Sequence, residues 1–274
     1  MNVKQMKPGL WTICVMEEGL RVLCSDAYTE HGMMYHSYLM ETGEGFLLLG
    51  APPARYAAEW LACVKELAGG NEIRWFVLLG NADNRTAVNA VLEEYPHIML
   101  IGGQTALFQL EGFLKQEVKT ISIRGKRKLN LGGRNLVFQT LPGKNGTSNV
   151  YILESDVLFT GDAFGAFFAC DGLMTGAVSD KADYLHGAAQ YHAAIGRNDW
   201  EDAISLVRDH QVTMICPAVG PSVDAYLDDL LEVYGRKETA CHCVTIYPRW
   251  LCGGTDELHR FRHCGFRHDY GRKD

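Results

Sequence analysis

Chemistry in this chain would have to come from a few polar side chains set in loops that follow apolar strands. Asp83 lies in the loop Gly80-Asn81-Ala82-Asp83-Asn84-Arg85-Thr86, and Asp162 lies in Gly161-Asp162-Ala-Phe-Gly165. Two further loops, 142–149 and 217–221, follow strands in the same way. In layered α/β proteins such loops gather at one edge of the sheets, where functional groups sit on a rigid scaffold. Arg85 is a permanent cation. Paired with Asp83 or Asp162 it would put a salt bridge in the pocket; the alternative is a surface arginine facing water. His31, His36, His186 and His192 are scattered, and the last two are six residues apart, so they do not share a helical face. All four read as satisfied polar side chains.

A second group of reactive residue types lies near the C-terminal end. Cys243-Val-Thr-Ile-Tyr-Pro-Arg-Trp-Leu-Cys-Gly-Gly-Thr-Asp-Glu-Leu258 is an apolar strand, a glycine turn and a helix start. Turn amides and a helix N-terminus in that order can cradle a phosphate. The residues placed to do so are Trp250, Leu251, Cys252, Gly253, Gly254 and Thr255. Cys241, Cys243, Cys252 and Cys264, with His242, His259, His263 and His268, are also potential metal donors. The closely paired cysteine spacing of a structural zinc site is missing.

The elements that must position these residues follow from hydrophobic periodicity. Trp11-Thr-Ile-Cys-Val15 and Tyr35-His-Ser-Tyr-Leu-Met40 read as antiparallel strands, and Gly45-Phe-Leu-Leu-Leu49 as a buried one. Pro52-Pro53 opens a helix with the stripe Ala57, Leu61, Val64 and Ala68. Further strands are expected at 73–79, 98–101, 119–123, 136–141, 149–153, 157–159 and 213–216. Helices are expected from the 81–86 loop to about Tyr95, and over 104–114, 182–195, 200–209 and 222–234. The last carries Val223, Leu227, Leu230 and Tyr234 on one face. Each half runs strands and then helices, which suggests two sheets packed face to face with helices outside. A single doubly wound sheet fits the second half poorly.

Three of these segments carry a resemblance. Leu158-Phe-Thr-Gly-Asp-Ala-Phe-Gly165 resembles the Leu-Phe-Ser-Asn-Asp-Ala-Phe-Gly signature of flavodiiron proteins. Tyr35-His-Ser-Tyr-Leu-Met40 resembles their early Tyr-Asn-Ser-Tyr-Leu-Ile strand, and Pro217-Ala-Val-Gly-Pro221 their Pro-Ser-His-Gly-Pro turn. Order and spacing match from about residue 10 to 236. The resemblance implies an α/β fold, the metallo-β-lactamase-like four-layer αββα sandwich, over residues 1–240. It also implies a diiron site and FMN, and an oxidoreductase that reduces O2 or NO. The family's metal loop reads His-x-Glu-x-Asp-His. By that correspondence its ligand positions fall on Asn81, Asp83, Arg85 and Thr86, and later ones on Gly143, Asp162 and Val219. Only Asp162 is retained outright, with Asp83 a shortened substitute. Two carboxylates beside a guanidinium are a poor match for a dinuclear centre, whose cations prefer a full set of imidazoles and carboxylates. No metal and no cofactor are therefore expected in this chain.

Residues 241–274 resemble the first strand and FMN-phosphate loop of flavodoxin, with Gly253 and Thr255 matching and Trp250, Cys252 and Gly254 departing. They read as a truncated flavodoxin start followed by a basic tail, too short to enclose a flavin alone. His259 to Asp274 carry five Arg or Lys against two Asp, on a chain of net charge −7. The acidic balance argues against nucleic acid. The N-terminus has no apolar leader, and no apolar run approaches a membrane span. The nine cysteines are irregularly spaced, and a reducing cytoplasm is expected. The function that follows is a flavodiiron-like protein stripped of most diiron ligands. It would act structurally or as a regulatory partner in redox metabolism, as a homodimer or paired with an intact flavodiiron paralogue. The alternatives are an FMN/diiron oxidoreductase of O2 or NO and, with less motif support, a metal-dependent hydrolase.

Overall fold

A computed structural model describes residues 1–24, 27–79, 85–142, 148–195 and 200–236. Positions 81, 83, 143, 241–274 and the phosphate-loop residues 250–255 lie outside the described residues. Met1–Gly235 form one compact unit.

The chain begins with β1 (Asn2–Lys7), β2 (Leu10–Glu17), the short pair β3 (Val22–Cys24) and β4 (Ala27–Tyr28), β5 (Met33–Thr42) and β6 (Gly45–Leu49). Strands then alternate with helices: α1 (Ala57–Ala68), β7 (Ile73–Val77), α2 (Arg85–Glu94), β8 (Met99–Gly103), α3 (Gln104–Glu111) and β9 (Lys119–Ile123). The second half runs β10 (Lys126–Leu131), β11 (Arg134–Pro142), β12 (Ser148–Glu154), β13 (Val157–Gly161), α4 (Lys181–Ile195), α5 (Trp200–Asp209), β14 (Met214–Pro217) and α6 (Leu227–Gly235).

Two main sheets result. The seven-stranded one has the order β1-β2-β5-β6-β7-β8-β9, and the five-stranded one β10-β11-β12-β13-β14. The first is antiparallel through β6 and parallel from β6 to β9. The second is antiparallel until β13, which pairs with β14 in parallel.

Period-two alternation divides each strand between two cores. In β6, Leu47 and Leu49 face the other sheet, where Val77, Phe138, Ile152 and Phe159 join them. Phe46 and Leu48 face outward, onto Trp60, Val64, Val88 and Leu92 of α1 and α2. The outer face of the second sheet buries Leu153, Leu158 and Ile215 against Tyr184, Ile204, Leu230 and Tyr234 of α4, α5 and α6. The order helix, sheet, sheet, helix is the expected four-layer αββα sandwich.

Three local expectations are corrected. The buried stripe of α1 runs through Trp60 rather than Leu61, because the indole is fully enclosed and donates to Ser37 Oγ at 2.7 Å. The second sheet gains β10, whose Lys126, Arg127 and Lys128 are exposed and so carried no apolar signal. Helix α6 starts at Leu227, not at 222; Val223 instead pairs with Ile215 in an extended bridge, with Val223 N donating to Ile215 O at 2.8 Å.

Candidate functional site

The two sheets meet where β7 and β13 end. Gly161 closes β13 at φ +58°, and a Cβ there would lie 2.1 Å from the backbone oxygen of Leu79. Only glycine fits, so the end of the first sheet packs directly under the residue before Asp162. The following turn is held from inside. Thr160 Oγ1 donates to Ala163 O at 2.7 Å, and Tyr234 Oη donates to Gly165 O at 2.6 Å. Phe164, with φ +59°, is fully buried between Trp200 and Tyr234.

The 217–221 turn is stitched to both sheets. Ala218 N donates to Gly161 O at 2.7 Å, and His36 N donates to Ala218 O at 2.8 Å. Gly220 N donates to Met34 O at 3.0 Å, and Tyr35 bridges Val219. Tyr38 reaches across the inter-sheet core: its hydroxyl donates to Pro217 O at 2.6 Å and meets Ser222 Oγ at 3.2 Å. Gly220 has φ +78°, and a Cβ there would sit 2.5 Å from Ala166 O. Backbone from β5, β13 and β14 therefore converges on one edge, where the sequence placed the functional loops.

The candidate positions are distributed unevenly at this edge. Asp162 is half-buried, directly after Gly161. Val219 packs against the apolar group of Met33, Phe167 and Tyr191. Arg85 and Thr86 are exposed at the start of α2. The Arg85 guanidinium lies over the Phe113 ring, 3.5 Å from its centroid, so the side chain is a surface cation stacked on an aromatic face. Asn89 ties this end of α2 down, donating to Arg85 O at 3.1 Å and Phe113 O at 3.0 Å. Asn81, Asp83 and Gly143 are outside the described residues. Among the described residues no group of three or more His, Cys, Asp or Glu side chains is placed to hold a metal ion. On those residues alone, the donors do not fit a dinuclear centre.

The histidines divide. His186 is exposed and meets Gln190 at 3.1 Å, and His31 lies against Phe168 with the rings tilted by 35°. His192 is buried while His186 is not, as their spacing implied. His36 departs from the expectation. It is 1% exposed, its Nδ1 lies 2.6 Å from Thr12 Oγ1, and its buried Nε2 has no hydrogen-bond partner among the described residues. Burial pushes the imidazole down to about 3, so it is neutral at physiological pH. Sequence reading missed it because a single polar residue in an apolar strand looks like any satisfied core histidine.

A cleft of about 440 Å³ opens nearby, with Met16, Arg21, His31, Phe168, Cys170 and Asp171 in its wall. None of the described ligand-matching positions lines it. No described helix is long and apolar enough to cross a membrane.

No profile of a known protein family matches the chain. Individual proteins do. A type A flavoprotein of Rhodobacter capsulatus is 27% identical over 233 residues, covering 82% of this chain and 53% of that protein. The rubredoxin:oxygen oxidoreductase of Desulfovibrio gigas superimposes with a TM-score of 0.75 at 17% identity, over 85% of this chain and 60% of that one. The flavodiiron protein of Giardia intestinalis does so with a TM-score of 0.75 at 18% identity, over 89% of this chain and 61% of that one. The chain spans about half the length of the curated flavoprotein it matches. The expectation that no cofactor is involved is overturned by this kinship, since the relatives are named as flavoproteins and flavodiiron proteins. The ordered motifs and the sequence likeness to type A flavoproteins support a kinship with flavodiiron proteins, and the solved structures share the chain's metallo-β-lactamase-like fold.

Proposed function

We propose that this chain is a divergent flavodiiron-type protein of redox metabolism that has lost most of the diiron ligands and works with a partner. One observation carries the reading. Of the four ligand-matching positions that are described (Arg85, Thr86, Asp162 and Val219) only Asp162 bears a carboxylate or imidazole. Val219 sits in apolar packing and Arg85 on an aromatic ring, so both side chains are already engaged in protein contacts. The partner is a second copy of the chain or an intact flavodiiron paralogue. By sequence, residues 241–274 resemble a truncated flavodoxin start, with Trp250 to Thr255 at the phosphate-loop positions. Loss of ligands is not loss of every cofactor, and flavin and iron remain the groups to look for.

A second reading is favoured by the names of the relatives: an FMN- and diiron-dependent oxidoreductase that reduces O2 or NO. One experiment separates the two. The full chain is purified anaerobically with Fe2+ and FMN supplied. Iron and flavin per chain are counted, and O2 and NO consumption is followed with a chemical reductant. Fewer than two irons and no turnover support the divergent reading. Two irons per chain with turnover establish the second and reject the first.

A further inference from the structure

A strongly charged patch lies outside the site loops. Lys119, Arg124, Lys126, Arg127 and Lys128 fall within ten residues that contain no acid, so this segment carries +5 and the rest of the chain −12. All five residues are exposed. Among the described residues none of the five forms an ion pair. Arg127 is held only by a carbonyl, its Nη1 donating to Ser122 O at 3.3 Å. Cations elsewhere commonly have a counter-charge: Lys7 meets Asp156 at 2.6 Å, Lys65 meets Glu94 at 2.7 Å and Lys181 meets Asp229 at 2.7 Å.

Strand β9 ends the first sheet and β10 ends the second, so both are edge strands. In β10, Lys126 and Lys128 stand opposite Gln139 and Val137 and share one face, while Arg127 stands opposite Phe138. The two lysines are about 7 Å apart along the strand. That is within the Debye length of about 8 Å at physiological salt, so their fields add. Charged edge strands also resist pairing with other strands, but that role asks nothing of Arg124, which lies in the turn between β9 and β10. We propose that this ribbon docks a separate protein that presents clustered carboxylates. The inference is independent of whether the chain holds metal. A long nucleic acid would run from the ribbon onto a body of charge −12, and the ten residues contain no aromatic on which a base could stack. An anionic membrane is disfavoured because the ribbon has no large exposed apolar side chain to insert; the described ones are Val3, Phe108 and Phe113. A compact acidic protein meets the patch without either difficulty, and complementary charge steers its encounter.

The test uses the full chain and a fluorescent oligoglutamate peptide, with polarisation read at low and at physiological salt. Saturable binding is expected, weakening as salt rises. Affinity should fall at least tenfold in Lys126→Glu/Lys128→Glu and hold in Lys126→Arg/Lys128→Arg. It should also hold in Arg260→Glu/Arg262→Glu, which reverses charge in the basic C-terminal segment instead. Circular dichroism shows whether each variant is folded. Carbodiimide coupling read by mass spectrometry needs no variant, and should join peptide carboxylates to Lys126 or Lys128. No binding, equal affinity in the folded Lys126→Glu/Lys128→Glu variant, or coupling confined to other lysines overturns the inference. Tighter binding of polyuridylate or of phosphatidylserine vesicles than of the peptide also overturns it, since the occupant would then be nucleic acid or membrane. Salt-dependent self-association abolished by Lys126→Glu/Lys128→Glu does so too, by making the occupant a second copy.

Discussion

Substituting Gly161 by alanine tests whether the site edge is welded as the structure shows. Two costs arise. The left-handed backbone at φ +58° disfavours any Cβ by roughly 1–2 kcal/mol. The new methyl would also lie 2.1 Å from Leu79 O, a backbone atom that cannot swing aside. Forcing apart a packed contact of this kind costs about 1–3 kcal/mol. Together the loss is about 2–5 kcal/mol. For a unit of this size each kcal/mol lowers Tm by about 2–4 °C, so a drop of roughly 4–20 °C is expected by circular dichroism or calorimetry. Gly133 provides the control. It has φ +88° with nothing within 4 Å of its missing Cβ, so Gly133→Ala carries the conformational cost alone. Equal Tm values for the two variants would refute the close approach of β7 and β13.

Two other expectations follow from buried groups. His36 is charged in the unfolded chain below its ordinary value of 6.5 and neutral in the folded one down to about 3. The unfolded state therefore binds the extra proton in that window. Its stabilising contribution is complete above pH 6.5 and declines as pH falls toward 3, by about 1.4 kcal/mol per pH unit within the window. Urea unfolding across pH 7 to 4 should show this slope, and His36→Asn should remove it; an unchanged slope contradicts the neutral assignment. Trp60→Ala should cost about 3–5 kcal/mol, since the indole is fully buried and also bonded to Ser37. A loss below 1 kcal/mol in denaturant melts would place the indole elsewhere.

The sequence carried the architecture where burial is two-sided. The runs forming β6, β7 and β13 are apolar on both faces because each lies between a helix layer and the other sheet. It failed where burial is one-sided or absent. β10 is a ladder of mostly exposed Lys and Arg residues, held by pairing with β11 rather than by any pattern of its own. Val223 fits a helical stripe by spacing, yet long-range pairing with Ile215 takes it into an extended bridge. The 161–165 and 217–221 loops lie at the expected edge, but the burial of His36 depends on which neighbours surround one ring, and periodicity does not contain that.

The motif residues that this chain shares with flavodiiron proteins are mainly those that hold the sheet edge together. Ala163, Phe164 and Gly165 form a buried turn anchored by Tyr234, and Gly220 admits the backbone of Ala166. Tyr38 spans the core to Pro217. Each role is set by packing and backbone bonding, and none needs a bound group. The backbone bridge between Val219 and Tyr35 likewise holds whatever the Val219 side chain. Resemblance in the signature segments thus reports the scaffold more directly than the chemistry. Chemistry particular to this chain would have to come from side chains that the scaffold does not require.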